Sequence, residues 1–575
     1  MLAILIIWFY IFLICLVFGF GLVKLGAAIY QEDGFERLPL SLVLILGLCL
    51  VSTIVSYFSL FIKIGFIANG IILLGALLLA GLYYGEIIFL LKSSVRRLFS
   101  INKWALALLI MSSFFILAKS AAPKWTYDTG LYYAQAIRWI EEYPVIPGLG
   151  NLHGRLAFNS TWFLPNALFG FSFLKLGRFH MLNGFLSLII LATGFNGLSN
   201  LIKRQYYFSN ILKAGILLPV IFIYKDQLAS PTPDIPVALL TCAVFIYYVQ
   251  LQERGDAAPS HLLAWGIVLV STFAIIIKLS ALPLAIFIVV LMYRELAQGR
   301  PLNFAITTGT VLFLVLPFFL RNIWLSGYLL YPFSGLDLFH VDWKIPKAAV
   351  LIDKRAILEF ARDPKYLAPP GAVKTYLAWV PYWFPQVIAD YGGKLRHIFL
   401  PSLVLFLDWL GHMLKMGTCK IEWREIGNHK VVYLTAAAGL LFWFLAAPDP
   451  RFALGLMMVL AIIIFIPFLK SYDYHLSPLV PWSLLLLILY FLVAFRAGVF
   501  PPRAARLWQP APYPQARLVI KEMEGHKVYF PRDSEGGCWY APLPCAYAEN
   551  FAFRGDRLED GFKPRSKPLT GKKKQ

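Results

Sequence analysis

MLAILIIWFYIFLICLVFGFGLVKLGAAIY, Met1 to Tyr30, is an apolar run broken by a single charge, Lys24. A helix needs roughly 20 apolar residues to cross a hydrocarbon core, and this run supplies them. Runs of the same kind recur to about Phe495, which a cleaved signal peptide at the N-terminus cannot explain. They lie near residues 2–29, 38–62, 64–91, 104–122, 181–202, 211–229, 234–251, 262–280, 282–294, 303–325, 396–414, 431–447, 452–469 and 477–495. The expectation is an all-α polytopic integral membrane protein with about 13–14 transmembrane helices. Asp408 and His412 make the 396–414 run the weakest of the set.

Composition agrees. Of 575 residues 59% are hydrophobic and 14% charged, against roughly 25% charge in a soluble domain. The net charge of +21 would suggest nucleic acid in a soluble chain, but here the basic residues gather in short gaps between apolar runs. No nucleic-acid partner is expected, because the positive-inside rule accounts for them. KSSVRRLFSINK (Lys92–Lys103) and KRQYYFSNILK (Lys203–Lys213) contain no acid and are read as cytoplasmic. Alternation of crossings then places the long polar stretches, the SPTPD loop, the Lys278 end, the PDPR loop and the tail outside. The expected organisation is transmembrane helices over 1–122, a first external loop over 123–180, central helices over 181–325, a second loop over 326–395, helices over 396–495, and a small extracytoplasmic tail domain over 496–575 with the Pro-rich entry PPRAARLWQPAPYP. Cys538 and Cys545 lie close together in that tail, and a disulfide or a reduced pair fits them equally.

The segment PKWTYDTGLYYAQAIRWIEEYPVIPGLGNLHGRLAFNSTWF, Pro123–Phe163, is too rich in aromatic and ionisable groups for a linker. Residues 129–142 predict an amphipathic helix along the membrane surface, with Leu131, Tyr133, Ile137 and Ile140 on one side and Gln135, Arg138 and Glu142 on the other. Asp128 at its entrance suits a helix N-cap, or a partly desolvated carboxylate that serves as a general base or holds a cation. The two roles can coexist. His153, Arg155 and Asn159 stand in a Gly-rich turn, where a guanidinium and backbone amides can bind a phosphate or sugar hydroxyls; solvated or structurally paired side chains are the plainer reading.

Further charges sit at helix ends: Lys225, Asp226 and Asp234 in YKDQLASPTPDIP, Lys278 in IIIKLSALP, Arg321 in FFLRNIWLSGYLLYP, and Asp449 with Arg451 in AAPDPRFALG. Snorkelling explains one such residue, and capping with a local ion pair explains Asp449 and Arg451. Several in one compartment point to a polar cavity. The aromatic run YLAWVPYWFP, Tyr376–Pro385, reads as interfacial anchors or as a platform for a sugar or isoprenoid. HExxH, paired CxxC, GxSxG and Walker sequences are absent, so a dedicated zinc or ATP site is not expected.

TYDTGLYYAQAIRWI, SPTPDIPVALL, RNIWLSGYLLYP and PDPRFA resemble the C-type glycosyltransferase superfamily (GT-C), polytopic enzymes that use polyprenyl-phosphate-linked sugars. GLYYAQAIRWIEEYPVIPGLGNLHGRLAFN and CWYAPLPC resemble, more narrowly, an uncharacterised family of bacterial multispanning membrane proteins. The resemblance implies an inverting displacement at the outer face of the bacterial cytoplasmic membrane, with Asp128 as base and Arg155, Lys278, Arg321 or Arg451 at the leaving phosphate. His153, Asn159 and Asp234 would help bind substrate. It implies a polyprenyl-phosphate-linked donor and a glycan, lipid or protein acceptor; no cofactor is required, and a divalent cation is compatible. Asp128 is followed by Thr129, not by the second acid common in the superfamily. A transporter or flippase of lipid-linked saccharide, a surface-polysaccharide polymerase or ligase, and a non-catalytic scaffold of envelope assembly are the competing readings.

Overall fold

The computed structural model describes residues 1–565 apart from 33–37, 176–178, 255–259, 370, 375–376, 417–422, 466, 468–476, 495–506 and 533–536. Among the described residues, eight helices are long and apolar enough to cross a membrane: Leu2–Tyr30, Leu40–Phe58, Lys103–Ser120, Leu182–Ile202, Asp234–Arg254, Leu279–Ala297, Pro301–Ser326 and Val380–Lys415. Side chains such as Phe9, Ile67, Leu77 and Leu312 are more than 60% exposed on the outside of the bundle, an apolar surface suited to lipid. The chain is an α-helical multi-pass membrane protein.

These long helices are fewer than the apolar runs, for physical reasons. The 64–91 run splits at Tyr83 into Phe66–Leu82 and Tyr84–Phe99, bent by 88°; the second helix carries Glu86, Lys92, Arg96 and Arg97, charges that hydrocarbon disfavours. The 211–229 run becomes two short helices, Phe208–Gly215 and Leu217–Phe222. Lys430–Ala446, Leu454–Ile463 and Leu479–Ala494 are apolar but short. In place of an isolated span at 396–414, one 37-residue helix runs from Val380 to Met416, so the second polar stretch ends at Trp379. Trp379 and Trp383 of YLAWVPYWFP are buried against Trp443 and Phe444. They act as packing residues and are closed to a sugar.

Helices Leu2–Tyr30 and Leu40–Phe58 cross with backbones nearly touching. A Cβ on Gly19 would overlap the Val43 carbonyl, and one on Gly47 the Cys15 carbonyl, so the crossing depends on small residues as membrane helix pairs commonly do.

The expected surface helix is also different. Thr129–Tyr133 forms a π turn that continues into Ala134–Glu142, and Gln135, Ile137 and Trp139 are all buried. Part of its polar side faces the tail: Gln135 Nε2 donates to the carbonyls of Trp539 (3.2 Å) and Ala541 (2.9 Å), and Arg138 Nη1 to that of Tyr540 (2.7 Å), while Glu142 stays exposed.

Among the described residues the tail has two antiparallel hairpins, β1 (Leu518–Met523) with β2 (His526–Pro531) and β3 (Phe551–Phe553) with β4 (Phe562–Pro564). A Cys538–Cys545 disulfide closes the loop between them. Residues 495–506, which hold the expected boundary at 496 and the start of the Pro-rich entry, lie outside the described residues. The tail joins both polar stretches, through Phe562 N–H to the Pro147 carbonyl (2.9 Å) and through Arg554 to Asp342 (2.8 Å).

Candidate active site

Asp128 does not cap the helix that follows it. Its side chain makes no capping hydrogen bond to the turn; its carboxylate instead meets Arg451 Nη1 at 3.2 Å and accepts from the Tyr133 hydroxyl at 3.4 Å. Arg451 comes from the Pro450–Phe452 turn, 323 residues away. Asp449 caps that turn by accepting from the Arg451 backbone N–H at 3.0 Å, and its other oxygen lies 2.7 Å from Arg451 Nε. The local ion pair read from the sequence is therefore present, with Asp128 added to it. Burial works against the Arg451 charge, but Asp449, Asp234 and Asp128 hold its pKa well above the usual value.

A second pair stands beside the first. Asp234 opens the Asp234–Arg254 helix, and Lys278 occupies the break between Ser260–Ile277 and the turn Leu279–Leu284. Their side chains form an ion pair. Lys278 Nζ lies 3.8 Å from the centre of the Phe452 ring, and the Arg451 guanidinium lies 5.0 Å from it. Both cations thus lie against one ring, and Asp234, Ser280, Arg451 and Phe452 line a common pocket. A knot of hydroxyls fixes this register: Thr129 Oγ1 is 2.9 Å from Thr126 Oγ1 and 2.5 Å from Ser230 Oγ. Asn183 holds the far strand of the knot through the carbonyls of Ser230 and Thr232, at 2.7 and 3.1 Å.

Asp128, Asp234, Lys278 and Arg451 are thus brought together. Arg155 is nearby, because Tyr132 lies within electrostatic reach of both Asp128 and Arg155; its guanidinium stands 5.4 Å from the Phe158 ring. His153 is engaged elsewhere, its ring 4.6 Å from that of Tyr547 in the tail. Burial, reinforced by Arg155, pushes its pKa down to about 4, which leaves the imidazole neutral at pH 7. Asn159 and Arg321 pair with each other in a different pocket, at 3.2 Å.

Tyr133, Tyr391 and Lys394 are site residues that sequence reasoning missed. The Tyr391 hydroxyl donates to Asp449 Oδ1 at 3.0 Å, and Lys394 lies within electrostatic reach of Asp449 and Asp226. The signal was their i, i+3 spacing on one helix face, hidden because 376–394 reads as loop. Asp226 is met by Lys119 (3.8 Å), Lys124 (3.1 Å) and Lys225 (3.7 Å). Burial opposes its charge, yet the three lysines hold its pKa below the usual value. With Lys394, which is within electrostatic reach of Asp226, they form a cationic shelf. Among the described residues, no three His, Cys, Asp or Glu side chains converge as a metal site.

The tail clamps the π turn from the other side. Trp539 N–H donates to the Gly130 carbonyl at 2.8 Å, and the Tyr547 hydroxyl to the Leu131 carbonyl at 2.8 Å. A Cβ on Gly130 would lie 2.7 Å from the Trp539 ring, so glycine is what permits the approach. Trp539→Ala is expected to speed amide exchange over residues 128–135 by about tenfold, as local opening becomes easier. Hydrogen-exchange mass spectrometry of both proteins measures this; unchanged exchange would mean that the main-chain and Tyr547 hydrogen bonds of the tail hold the turn without the Trp539 ring.

A family model described as a domain of unknown function, DUF8201, matches residues 1–458. The match takes in every charged residue of the centre and ends before the tail. No curated protein and no solved structure matches the chain.

Proposed function

We propose that this chain, which belongs to the DUF8201 family, is a membrane glycosyltransferase that moves a sugar from a polyprenyl-phosphate-linked donor to an acceptor hydroxyl at the outer face of the cytoplasmic membrane. The observation that carries the proposal is the convergence of the Asp128 and Asp234 carboxylates with Arg451 and Lys278, two of which, Asp234 and Arg451, line a pocket of the bundle. Ionisable groups facing a bundle interior are expensive, and their usual return is function.

In this reading the acceptor oxygen attacks the anomeric carbon, the bond from that carbon to the donor phosphate oxygen breaks, and the phosphate leaves with the electron pair. The hydroxyl proton passes to Asp128. Arg451 makes the timing workable. Arg451 pairs with Asp128 and Asp449; a donor phosphate competes for its guanidinium, and a carboxylate released from that contact is a better base. Lys278 and the Lys394 shelf then face the charge that grows on the leaving group. Asp234 holds Lys278 in place.

One observation favours a second reading, a transporter or flippase of lipid-linked saccharide. Lys278 sits at a break between helical segments, the kind of discontinuity on which transporters build ion and substrate sites. A polymerase or ligase would use the same centre with another donor. The purified chain in liposomes, supplied with a panel of polyprenyl-phosphate sugars and glycan acceptors, separates these. Acceptor-dependent release of the lipid phosphate supports transfer, whereas movement of intact donor across the bilayer without release supports transport.

A further inference from the structure

The Pro301–Ser326 helix carries a buried charge that the centre above does not use. Arg321 is 4% exposed. Its Nη1 donates to Ser59 Oγ at 2.7 Å and its Nε to Asn159 Oδ1 at 3.2 Å. Both acceptors are neutral, and among the described residues no carboxylate lies within ion-pair distance of the guanidinium. Other buried charges are treated differently: Asp234 has Lys278, Asp449 has Arg451 and Lys119 has Asp226. A buried cation without a counter-charge is costly, so this one asks for an anion.

Two further features describe that anion. Arg321 lines a pocket walled by Ile140, Tyr143, Val145, Leu149, Phe158 and Leu325, and Trp139 lines it too. Trp139 is 2% exposed, yet its indole N–H has no acceptor. A guanidinium fork and an indole N–H are donors only, and together they match an oxyanion that accepts several hydrogen bonds. One turn further along the same helix, Trp324 stacks on Trp343 with an interplanar angle of 2°. Tryptophan is enriched at the depth at which phospholipid headgroups stand.

We infer that the Arg321 and Trp139 pocket is a second anion site, separate from the Asp128 centre, which binds a phosphate group whose substituent packs on the apolar walls. The phosphate comes from a phospholipid headgroup or from solution. The inference does not depend on the glycosyltransferase reading, since it concerns only what occupies this pocket.

The test uses the full-length chain in maltoside detergent, with Arg321→Gln and Trp139→Phe as variants. Thermal unfolding is followed against rising inorganic phosphate, dihexanoyl-phosphatidylglycerol, and dihexanoylglycerol as the control without phosphate. The parent is expected to show a saturable rise in Tm with a phosphate-bearing probe and none with the control, as binding to the native state requires. Arg321→Gln should weaken the apparent affinity by about tenfold or more, the loss of a charge-assisted contact. Trp139→Phe, which keeps an aromatic ring and removes the donor, should weaken it by about threefold to tenfold, the loss of one hydrogen bond. A response to both phosphate probes assigns a free anion, and a response to the lipid alone assigns a headgroup. A parent indifferent to both overturns the inference. So does an undiminished response in Arg321→Gln, which would place the anion at Arg451; if that variant does not fold, an undiminished response in Trp139→Phe has the same force.

Discussion

Asp128→Asn is expected to fold as the parent does and to lose acceptor-dependent transfer by about two to four decades, the range in which a positioned general base contributes. The fold should survive because Asn presents an oxygen to Arg451 at the same place, and because Arg451 keeps its contact with Asp449. Loss of the charge at Asp128 should therefore cost only about 1 kcal/mol of stability, the worth of a typical hydrogen bond. Asp234→Asn makes the informative contrast. It strips the counter-charge from Lys278, whose partner is buried, and a buried pair broken from one side costs about 3–5 kcal/mol. Activity lost in Asp128→Asn at unchanged melting temperature identifies chemistry, and activity lost together with melting temperature identifies architecture. Turnover equal to the parent in Asp128→Asn would remove Asp128 from the role of base.

The sequence allowed the centre to be found for an energetic reason. Asp128, Asp234, Lys278 and Arg451 stand at the ends of apolar runs, where a charge is tolerated only with a purpose, and that rule needs no knowledge of which ends adjoin. Adjacency itself was not legible. Arg321 satisfies the same rule, yet it pairs with Asn159 in a separate pocket. The order of helices around a bundle is set by packing between segments hundreds of residues apart. Tyr391 and Lys394 escaped because the Val380–Met416 helix begins in an aromatic, Pro-containing run, where proline is permitted in the first turn but reads as a breaker. The Asp128 cap failed for a local reason. The π turn carries Tyr133 to the carboxylate, and π turns inside helices are often found at functional sites. The Trp539 clamp was invisible because an appended tail carries no mark of what it docks against.

Arg451→Gln should lose as much stability as Asp234→Asn does. Arg451→Gln leaves the Asp128 and Asp449 carboxylates, 15% and 8% exposed, without the cation that meets both. Removing one member of a buried ionic cluster costs about 3–5 kcal/mol, a large part of the margin by which most folded proteins are stable. Low membrane yield and a melting temperature several degrees below the parent are expected. Arg451→Lys should keep the yield, since the charge remains, but a single ammonium cannot span Asp128, Asp449 and an incoming phosphate as a planar fork does. Its turnover should fall by about two to three decades, the usual loss when one transition-state donor is removed. The double variant Arg451→Gln with Asp449→Asn separates the two effects. Cancelling a charge on each side should restore a measurable share of the melting temperature, a coupling that a thermodynamic cycle reads directly, while leaving transfer as low as in Arg451→Gln. Recovery of stability without recovery of transfer would mean that Arg451 both holds the carboxylates and acts on the substrate; recovery of both would reduce it to a structural tie and shift the leaving group to Lys278 and the Lys394 shelf.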